Sequence, residues 1–347
     1  MSGRLAFVGA GAVGGYVGGH LARAGEDVTL IDSWPEHIAR IKSEGLRLSG
    51  TQGDHTVEVA ALHLHEVQGL FRTPVDIAFV CTKSYDTEWA TMLIRQYLAP
   101  GGFVVSMQNS INEERIAAIV GWGKTVGCVV SAIGVNAVAP GHVVRGVEPG
   151  GPAHNVFRVG EVHGRVTPRV EALVEMLGSV DSATVTTNLW GERWTKLTIN
   201  SMGNGVSAVT GLDNKAMSES HTARRLSIRL AGEAVRVGQA LGYELEPVRH
   251  LAPEHWVAAE RGDGAALELI EDAMTAGGQS TVAEVRPSTG QDIVKGRRTE
   301  IEYLNGLVAA KGEEAGVPAP THAALTELVK RVERGDLAPD PANIEGL

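Results

Sequence analysis

Residues 4–14, RLAFVGAGAVG, decide the fold of the first half of the chain. The apolar run RLAFV predicts a buried strand, and the glycines after it mark a tight turn into the amphipathic segment YVGGHLARAG. Strand, glycine turn and helix in this order are typical of a dinucleotide-binding unit, in which unpaired amides at the start of the helix face a pyrophosphate. We therefore predict that the chain begins with a Rossmann-type fold.

Each glycine of the pattern G-x-G-x-x-G has its own physical task. The first permits the tight turn, the second lets the backbone approach the pyrophosphate, and the third allows close packing of helix on strand. A second predicted strand, DVTLID, ends 18 residues after the last glycine and strengthens the interpretation. The predicted cofactor-binding residues of this turn are Gly9, Ala10, Gly11, Ala12, Val13 and Gly14.

Asp32 ends the second predicted strand and bears on the choice of cofactor. A carboxylate at this place accepts hydrogen bonds from the ribose hydroxyls but repels a 2′-phosphate, so NAD is favoured over NADP. Three alternatives stay open: Asp32 caps the helix that begins near SWPEH, Arg40 or Lys42 turns towards a phosphate, or Trp34 stacks on adenine.

Further strands are predicted at VDIAFVCT (75–82), GGFVVSMQN (101–109) and TVGCVVSAIGV (125–135), alternating with helical segments such as DTEWATMLIRQYL. This alternation predicts a parallel, doubly wound sheet. Lys83 and Asn109 follow two of these strands, at the carboxyl edge where ligands gather, so both are candidate cofactor contacts; either is alternatively a turn residue. Residues 138–160, rich in Gly and Pro, predict hairpins and loops.

At 347 residues the chain exceeds the size of most single cores, and the pattern changes near Asn188. We predict a dinucleotide-binding domain at 1–187 and an all-α domain at 188–347. The predicted helical stretches are LWGERWTKLTINSMG, ARRLSIRLAGEAVRVGQALG, GAALELIEDAMTAG, QDIVKGRRTEIEYLNGLVAAKGEEAG and THAALTELVKRVERG.

A polar stripe runs through the first of these helices. Lys196, Asn200 and Asn204 are spaced by four residues in a stretch otherwise rich in Leu, Ile, Met and Val, so they share one helix face. A buried unpaired amide costs about 1–3 kcal/mol, so the stripe must line a cleft or be satisfied internally. The alternative is that Lys196 reaches water while the asparagines cap neighbouring loops.

Hydride transfer from a reduced nicotinamide to a ketone fits these residues. The developing alkoxide needs a proton donor or a positive charge, and a lysine supplies both, while asparagine amides fix a carboxylate or hydroxyl without adding charge. The twelve histidines form no recognisable metal-ligand motif, and no G-x-S-x-G elbow indicates a hydrolase. We therefore predict no metal.

Composition excludes other classes of function. The formal net charge of −10 disfavours nucleic acid and anionic lipid as partners. No apolar run reaches membrane-spanning length, and the start of the chain lacks the pattern of a signal peptide. Cys81 and Cys128 lie in apolar runs, as is typical of buried reduced thiols. We expect a cytoplasmic protein.

Four blocks of the sequence resemble the ketopantoate reductase (2-dehydropantoate 2-reductase) family over nearly the whole chain. They are GAGAVGG, TKSYDT, ERWTKLTINSMGN and STGQDIVKGRRTEIEYLNG. The resemblance implies NAD(P)H-dependent reduction of 2-dehydropantoate to (R)-pantoate, on the route to pantothenate and coenzyme A.

The resemblance also implies roles for single residues. The proton donor of the family falls on Lys196, and its substrate-binding residues fall on Asn200, Asn204 and Ser288. A further substrate asparagine corresponds to Asn214, which we expect in a loop. Cofactor contacts of the family fall on Lys83, Asn109 and Glu300.

Ser288 and Glu300 are twelve residues apart, which spans about 18 Å of straight helix at ~1.5 Å per residue. Either the chain bends near Gly290 or Gly296, or the serine meets substrate while the glutamate meets cofactor. The alternatives are an N-cap serine and a solvated glutamate.

The chain departs from the family pattern in three ways. Asp32 stands where the family, which usually prefers NADPH, often has a basic residue; Pro287 precedes the substrate serine; and the region 247–287 is longer than a minimal member needs. These differences bear on the identity of the substrate more than on the type of reaction.

The sequence thus predicts an oxidoreductase acting on a small 2-oxo or 2-hydroxy acid, with 2-dehydropantoate the first candidate. The alternatives are a dehydrogenase of the same fold for another small hydroxy acid or ketone, and a nucleotide-sensing protein without turnover. Long apolar-faced helices in 306–333 also suggest a homodimer.

Overall fold

A computed structural model describes residues 3–151, 154–276 and 286–347 of the chain. The chain divides into two compact units, unit 1 (1–189) and unit 2 (190–347). Residues 152–153 of the predicted loop region 138–160, and Gly277 at the end of one predicted helix, lie outside the described residues.

Unit 1 is an α/β unit. Its strands are β1 (Arg4–Val8), β2 (Asp27–Asp32), β3 (Leu46–Gly50), β4 (His55–Val57), β5 (Ala60–His63), β6 (Val75–Val80), β7 (Leu98–Ser106), β8 (Thr125–Val130), β9 (Val135–Ala139), β10 (His142–Arg145), β11 (Phe157–Glu161) and β12 (Ala183–Val185). Its α-helices are α1 (Ala12–Arg23), α2 (Pro35–Glu44), α3 (Thr87–Arg95), α4 (Glu113–Val120) and α5 (Pro168–Leu177).

Eight strands form the main sheet in the order β12-β11-β8-β7-β6-β1-β2-β5. All neighbours are parallel except β11, which runs antiparallel to β8. β1 lies inside the sheet between β6 and β2, and its residues Leu5–Val8 are all buried, as parallel sheets covered by helices require. Phe7 on β1 stacks on Phe79 of β6 with ring centroids 4.5 Å apart.

A second sheet of four strands, in the order β4-β3-β10-β9, was not predicted. Its strands are three to five residues long; LRLSG has no β-branched residue, and HTV is too short to give a strand pattern. The segment predicted as one strand at 125–135 is divided: β8 ends at Val130, and Val135 begins the antiparallel β9–β10 hairpin.

Unit 2 is helical, so the predicted fold class, a doubly wound α/β domain followed by an all-α domain, is confirmed. Only the isolated bridge Val248–Leu251 pairs extended residues within the described part of unit 2. The helices are α6 (Leu189–Thr210), which begins at the unit boundary, α7 (Asn214–Glu219), α8 (His221–Ala240), α9 (Pro253–Glu260), α10 (Gly264–Ala276), α11 (Ser288–Val294), α12 (Asn305–Glu314) and α13 (Pro320–Glu333).

The long helix predicted at 291–316 is wrong in its continuity. α11 ends at Val294, and Gly296 adopts a φ of +60°, a left-handed conformation that L side chains rarely adopt. A short 3₁₀ helix, Ile301–Tyr303, then precedes α12. The helix is therefore interrupted at Gly296, one of the two glycines named in the first of our two alternatives for Ser288 and Glu300.

Apolar side chains form the core of each unit. In unit 2 Trp194 and Trp256 are almost fully buried, and each indole N–H donates to a backbone carbonyl, Ala234 at 2.8 Å and Val248 at 3.2 Å. Such satisfied indoles let large rings fill a core without an unpaired donor. None of the described helices combines the length and the apolar character needed to cross a lipid bilayer.

Candidate functional site

The glycine turn joins β1 to α1 in unit 1. Gly9 has a φ of +97°, and a Cβ there would lie 2.8 Å from the amide nitrogen of Thr82. A Cβ on Gly14 would lie 2.0 Å from the carbonyl oxygen of Gly9, so only glycine permits the close packing of α1. Around Gly11, by contrast, a Cβ meets no described atom within 4 Å.

This turn is suited to an anion. Gly11 is the N-cap of α1 and makes no side-chain cap, so the first amides of the helix, which include those of Ala12 and Val13, are directed outwards from the turn. The space open at Gly11 lies beside these amides. A helix N-terminus with an open, glycine-lined approach fits the pyrophosphate of a dinucleotide.

Asp32 stands beside the same turn, at the carboxyl end of β2. Its Oδ2 accepts the N–H of Ala10 at 2.8 Å, and its Oδ1 accepts the N–H of Trp34 at 2.9 Å. Trp34 is the N-cap residue of α2, so Asp32 holds the start of that helix through the backbone without being the cap itself. The indole of Trp34 stacks on His37, with ring centroids 5.3 Å apart.

The two basic residues considered for a 2′-phosphate both pair with carboxylates. Arg40 forms an i,i+4 ion pair with Glu44 on α2, and Lys42 pairs with Glu66. The side-chain hydrogen bond from Lys42 holds the pKa of Glu66 below its usual range. Solvent screens both pairs, so they hold Arg40 and Lys42 only weakly in these positions.

Lys83 and Asn109 follow β6 and β7, as predicted. Lys83 is the partly buried N-cap of a short 3₁₀ helix, and Asn109 is partly buried in the loop that leads to α4. The Oγ of Ser84 donates to the carbonyl of Asn109 at 3.2 Å, so the two loops touch through neighbouring residues. Ser110 has a φ of +70°, rare for a residue with a side chain, and such strain concentrates at functional sites.

A polar network missed by the sequence analysis holds these loops together. Asn112 donates to the Asn109 carbonyl at 2.8 Å, and Gln108 donates to the Thr82 carbonyl at 2.9 Å. Arg115 donates to Asn112 Oδ1 at 2.8 Å and pairs with Glu88, which lowers the pKa of that carboxyl mainly through the hydrogen bond. The local pattern QNSIN, rich in amides after an apolar strand, is a signal that could have indicated it.

In unit 2, Lys196, Asn200 and Asn204 lie on one helix, α6, at the predicted steps of four residues. Lys196 and Asn204 are partly buried, and Asn200 is 9% exposed. A lysine and two amides thus lie on one side of a helix whose other faces carry the fully buried Trp194, Leu197 and Val206.

Ser288 and Asn204 are brought together, although 84 residues separate them. Asn204 Nδ2 donates to Ser288 Oγ at 3.2 Å. Ser288 is the first residue of α11 and makes no N-cap hydrogen bond, because the cap position is held by Pro287. A Cβ on Gly290 would lie 2.6 Å from Ser207 Oγ, so α11 packs closely on α6.

The surroundings of Asn214 and Glu300 in unit 2 differ from those we expected. Asn214 is exposed and begins α7, a helix capped by Asp213, rather than lying in the loop we expected. Glu300 is 3% exposed at the N-cap of the 3₁₀ helix that follows the bend, so it is not a solvated helical residue. Among the described hydrogen bonds, Asn214 makes none with Asn204 or Ser288.

A second polar network, which the sequence did not reveal, connects α6 to α12 and α13. Asn305 on α12 donates to the Ser201 carbonyl at 2.9 Å and contacts His322 Nδ1 at 3.1 Å. His322 in turn donates to the Leu230 carbonyl at 2.8 Å, and burial lowers its pKa to about 4. Glu233 accepts the amide N–H of His322, at the start of α13.

The chain is similar to known proteins over nearly its whole length. Residues 5–150 match the sequence model described as ketopantoate reductase PanE/ApbA, and residues 188–333 match its C-terminal counterpart. A 2-dehydropantoate 2-reductase of Archaeoglobus fulgidus is 29% identical over 333 residues, covering 96% of this chain and 98% of the relative.

Solved structures show the same fold. A PanE/ApbA family ketopantoate reductase from Ralstonia eutropha is 26% identical, with a TM-score of 0.75, and the match covers 96% of this chain and 99% of that one. A D-mandelate dehydrogenase in complex with NADH and anilino(oxo)acetate has a TM-score of 0.78 over 96% of this chain and 99% of that one. At 23% identity the latter likeness concerns the fold alone.

Proposed function

The chain belongs to the ketopantoate reductase family of oxidoreductases, and we propose that it reduces a small 2-oxo acid with NAD(P)H, with 2-dehydropantoate as the first candidate and (R)-pantoate as its product. The contact between Asn204 and Ser288 carries this proposal. It joins the start of α11 to α6, the helix that also bears Lys196, so groups suited to a 2-oxo acid come from one face of α6 and from the first residue of α11.

Lys196 is the proposed proton donor. Its ammonium group protonates the carbonyl oxygen as negative charge develops there, and its positive charge stabilises that oxygen before the proton moves. Partial burial on α6 increases this stabilisation, because a less polar environment strengthens the interaction between charges.

Asn200, Asn204 and Ser288 are the proposed substrate-binding residues, with Asn214 a further candidate. Amide and hydroxyl groups hydrogen-bond to a carboxylate or hydroxyl without adding charge, and leave the single ammonium of Lys196 to act on the carbonyl. The contact between Asn204 and Ser288 orients both side chains before substrate arrives, which reduces the entropy lost on binding.

The glycine turn, from Gly9 to Gly14, is proposed to hold the pyrophosphate of the dinucleotide, and Asp32 to accept hydrogen bonds from its ribose. When bound, the reduced nicotinamide supplies the hydride that the carbonyl carbon accepts. Lys83, Asn109 and Glu300 are proposed as further contacts with the dinucleotide, and the polar network around Asn109 fixes the two loops in unit 1.

NAD is the proposed cofactor in preference to NADP. The Asp32 carboxylate repels a 2′-phosphate, and the pairing of Arg40 with Glu44 and of Lys42 with Glu66 lowers the positive charge available to such a phosphate.

Initial-rate kinetics with 2-dehydropantoate, comparing NADH with NADPH, test the proposal. We expect turnover with both and a higher kcat/KM with NADH. A strong preference for NADPH would overturn the role of Asp32, and absence of turnover with either, despite measurable binding, would favour a nucleotide-sensing protein.

A second candidate is reduction of another small 2-oxo acid or ketone. Pro287 favours it, because this rigid residue is the N-cap of α11 directly before Ser288 and changes the surroundings of that hydroxyl. A panel of 2-oxo acids, assayed by nicotinamide absorbance, distinguishes the two: a higher kcat/KM for another acid than for 2-dehydropantoate would establish the second.

A homodimer stays a prediction. The apolar residues Leu325, Val329 and Val332 of α13 are buried in the chain's own core, so the face that suggested a dimer is already covered. Multi-angle light scattering of the purified protein gives the mass and tests this prediction.

A further inference from the structure

The backbone of Ala10 is held on both of its polar sides. Its N–H donates to Asp32 Oδ2 at 2.8 Å, and its carbonyl oxygen lies 2.9 Å from Nε2 of His37. His37 lies in the first turn of α2 and is 1% exposed. A second backbone contact reaches the same ring, since the N–H of Gly141 lies 2.9 Å from His37 Nδ1.

These contacts determine the tautomer of His37. A backbone N–H only donates, so Nδ1 must carry the lone pair, and Nε2 therefore carries the hydrogen that is donated to Ala10. Burial lowers the pKa of His37 and so favours the neutral ring. The charge of Asp32 and the hydrogen bond to Ala10 oppose this shift in part. The imidazole thus bridges the glycine turn and the β9–β10 hairpin of the second sheet.

Peptide planarity extends this contact to the next residue. In a trans peptide the carbonyl of Ala10 and the N–H of Gly11 point in opposite directions, and all described peptides are trans. Because His37 fixes the Ala10 carbonyl, it also directs the Gly11 N–H away from α2. The space around Gly11, where a Cβ meets no described atom within 4 Å, is open to a ligand.

We propose that His37 is a positioning residue which directs the Gly11 amide at the pyrophosphate of a bound dinucleotide, braced by the β9–β10 hairpin. The inference rests on the proposed function for the identity of the ligand. A purely structural role would need only the contact between Nδ1 and Gly141, which links α2 to the hairpin. The positioning role depends instead on Nε2, which donates to the Ala10 carbonyl.

Two substitutions separate the two sides of the ring. The amide of an asparagine side chain reaches about as far as Nδ1 and can keep the contact with Gly141, whereas that of a glutamine reaches about as far as Nε2 and can keep the contact with Ala10. We expect His37→Asn to raise the Kd of NADH about three- to tenfold, the usual effect of losing one hydrogen bond, and His37→Gln to change it less than twofold.

Isothermal titration calorimetry with NADH, in the absence of substrate, gives these constants. His20→Gln is the matched control, because His20 is a buried histidine of unit 1 on α1 that does not contact the turn residues Ala10 and Gly11 through any described hydrogen bond. Equal Kd values for the two His37 variants would overturn the inference. Failure of the wild-type protein to bind either NADH or NADPH would instead overturn the proposed function.

A measurement on the wild-type protein covers the case in which a variant does not fold. NADH should slow amide hydrogen exchange at Gly11 at least tenfold, read by ¹⁵N-resolved NMR, because that N–H becomes a hydrogen-bond donor to the ligand. An unchanged exchange rate at Gly11 in the NADH complex would overturn the inference without any substitution.

Discussion

Asn204 on α6 donates a hydrogen bond of 3.2 Å to the hydroxyl of Ser288 at the start of α11. The fold joins the two residues although 84 positions separate them, and the described part of the chain between them includes the helices α7 to α10. Because the two side chains are in direct contact, their joint effect on substrate binding can be tested separately from the role of Lys196.

Replacing Lys196 with alanine should lower kcat about 100-fold or more, because the carbonyl oxygen loses its proton donor. The Kd of NADH should stay within twofold. Stopped-flow turnover and fluorescence titration measure the two quantities. Lys215→Ala is the control, since Lys215 is exposed and pairs only loosely with Glu219, at 3.9 Å. Turnover unchanged by Lys196→Ala would remove this residue from the mechanism.

Asn204→Ala and Ser288→Ala should each raise the KM of the 2-oxo acid, and their effects should not add. Residues in direct contact couple by about 0.5–1 kcal/mol, so the double variant should be less impaired than the product of the single effects predicts. A double-mutant cycle on kcat/KM gives this energy. Ser218→Ala, which removes a local bond to Lys215, serves as the control. Strict additivity would show that the contact does not matter for binding.

Two glycines of the turn should respond differently to alanine. Gly14→Ala places a methyl group 2.0 Å from the Gly9 carbonyl oxygen and should lower Tm by several degrees, while Gly11→Ala meets open space and should leave Tm nearly unchanged. Gly11→Ala should nevertheless weaken NADH binding about tenfold, because its methyl group occupies the approach to the amides. Undiminished NADH affinity in Gly11→Ala would contradict the assignment of the turn.

Asp181→Ala should destabilise the protein by about 3–5 kcal/mol, because it leaves the Arg145 guanidinium buried without its carboxylate. Asp54→Ala removes an ion pair with Arg47 in which both side chains are more than half exposed, and should change the free energy of unfolding far less than Asp181→Ala, because solvent screens the pair. Urea denaturation followed by tryptophan fluorescence compares the two. If both variants lose a similar free energy of unfolding, the buried pair is no more important for stability than the exposed one.

Stability should also depend on pH through His322. Burial lowers its pKa in the folded protein to about 4, whereas the unfolded chain takes up this proton near the ordinary value of 6.5. The neutral ring of His322 therefore contributes fully to the free energy of unfolding above pH 6.5. This contribution is lost as the pH falls towards 4, and the loss amounts to about 2 kcal/mol at pH 5. His322→Gln should reduce the change in unfolding free energy between pH 7 and pH 5 by that amount.

The comparison must be made against the wild-type protein, because burial also lowers the pKa of His20 to about 4 and that residue titrates in the same range in both proteins. Urea denaturation at the two pH values gives the difference. An identical pH dependence in His322→Gln and wild type would mean that His322 does not carry the effect.

Local patterns predicted part of this structure well. The runs 4–8 and 27–32 match β1 and β2 because each is apolar and bounded by glycine or charge, and the spacing of Lys196, Asn200 and Asn204 holds because α6 is continuous. The contact of His37 with Gly141, by contrast, joins residues 104 positions apart and has no local signal.

Other features depended on tertiary structure in the same way. The second sheet is made of strands too short to be distinguished from loops, and Asn305 meets the Ser201 carbonyl across 104 residues. The break in the helix predicted at 291–316 rests on a single glycine, Gly296, and similar glycines elsewhere lie inside helices, as Gly205 does in α6.

The bond from Ala10 to Asp32 limits how coenzyme preference can be redesigned. Replacing Asp32 with arginine or lysine is the obvious step towards NADPH. This change would remove the acceptor for the Ala10 amide as well as the negative charge. Directed evolution for NADPH use should therefore select serine or threonine at this position, whose hydroxyl oxygen still accepts that amide, and recruit its cation from another residue.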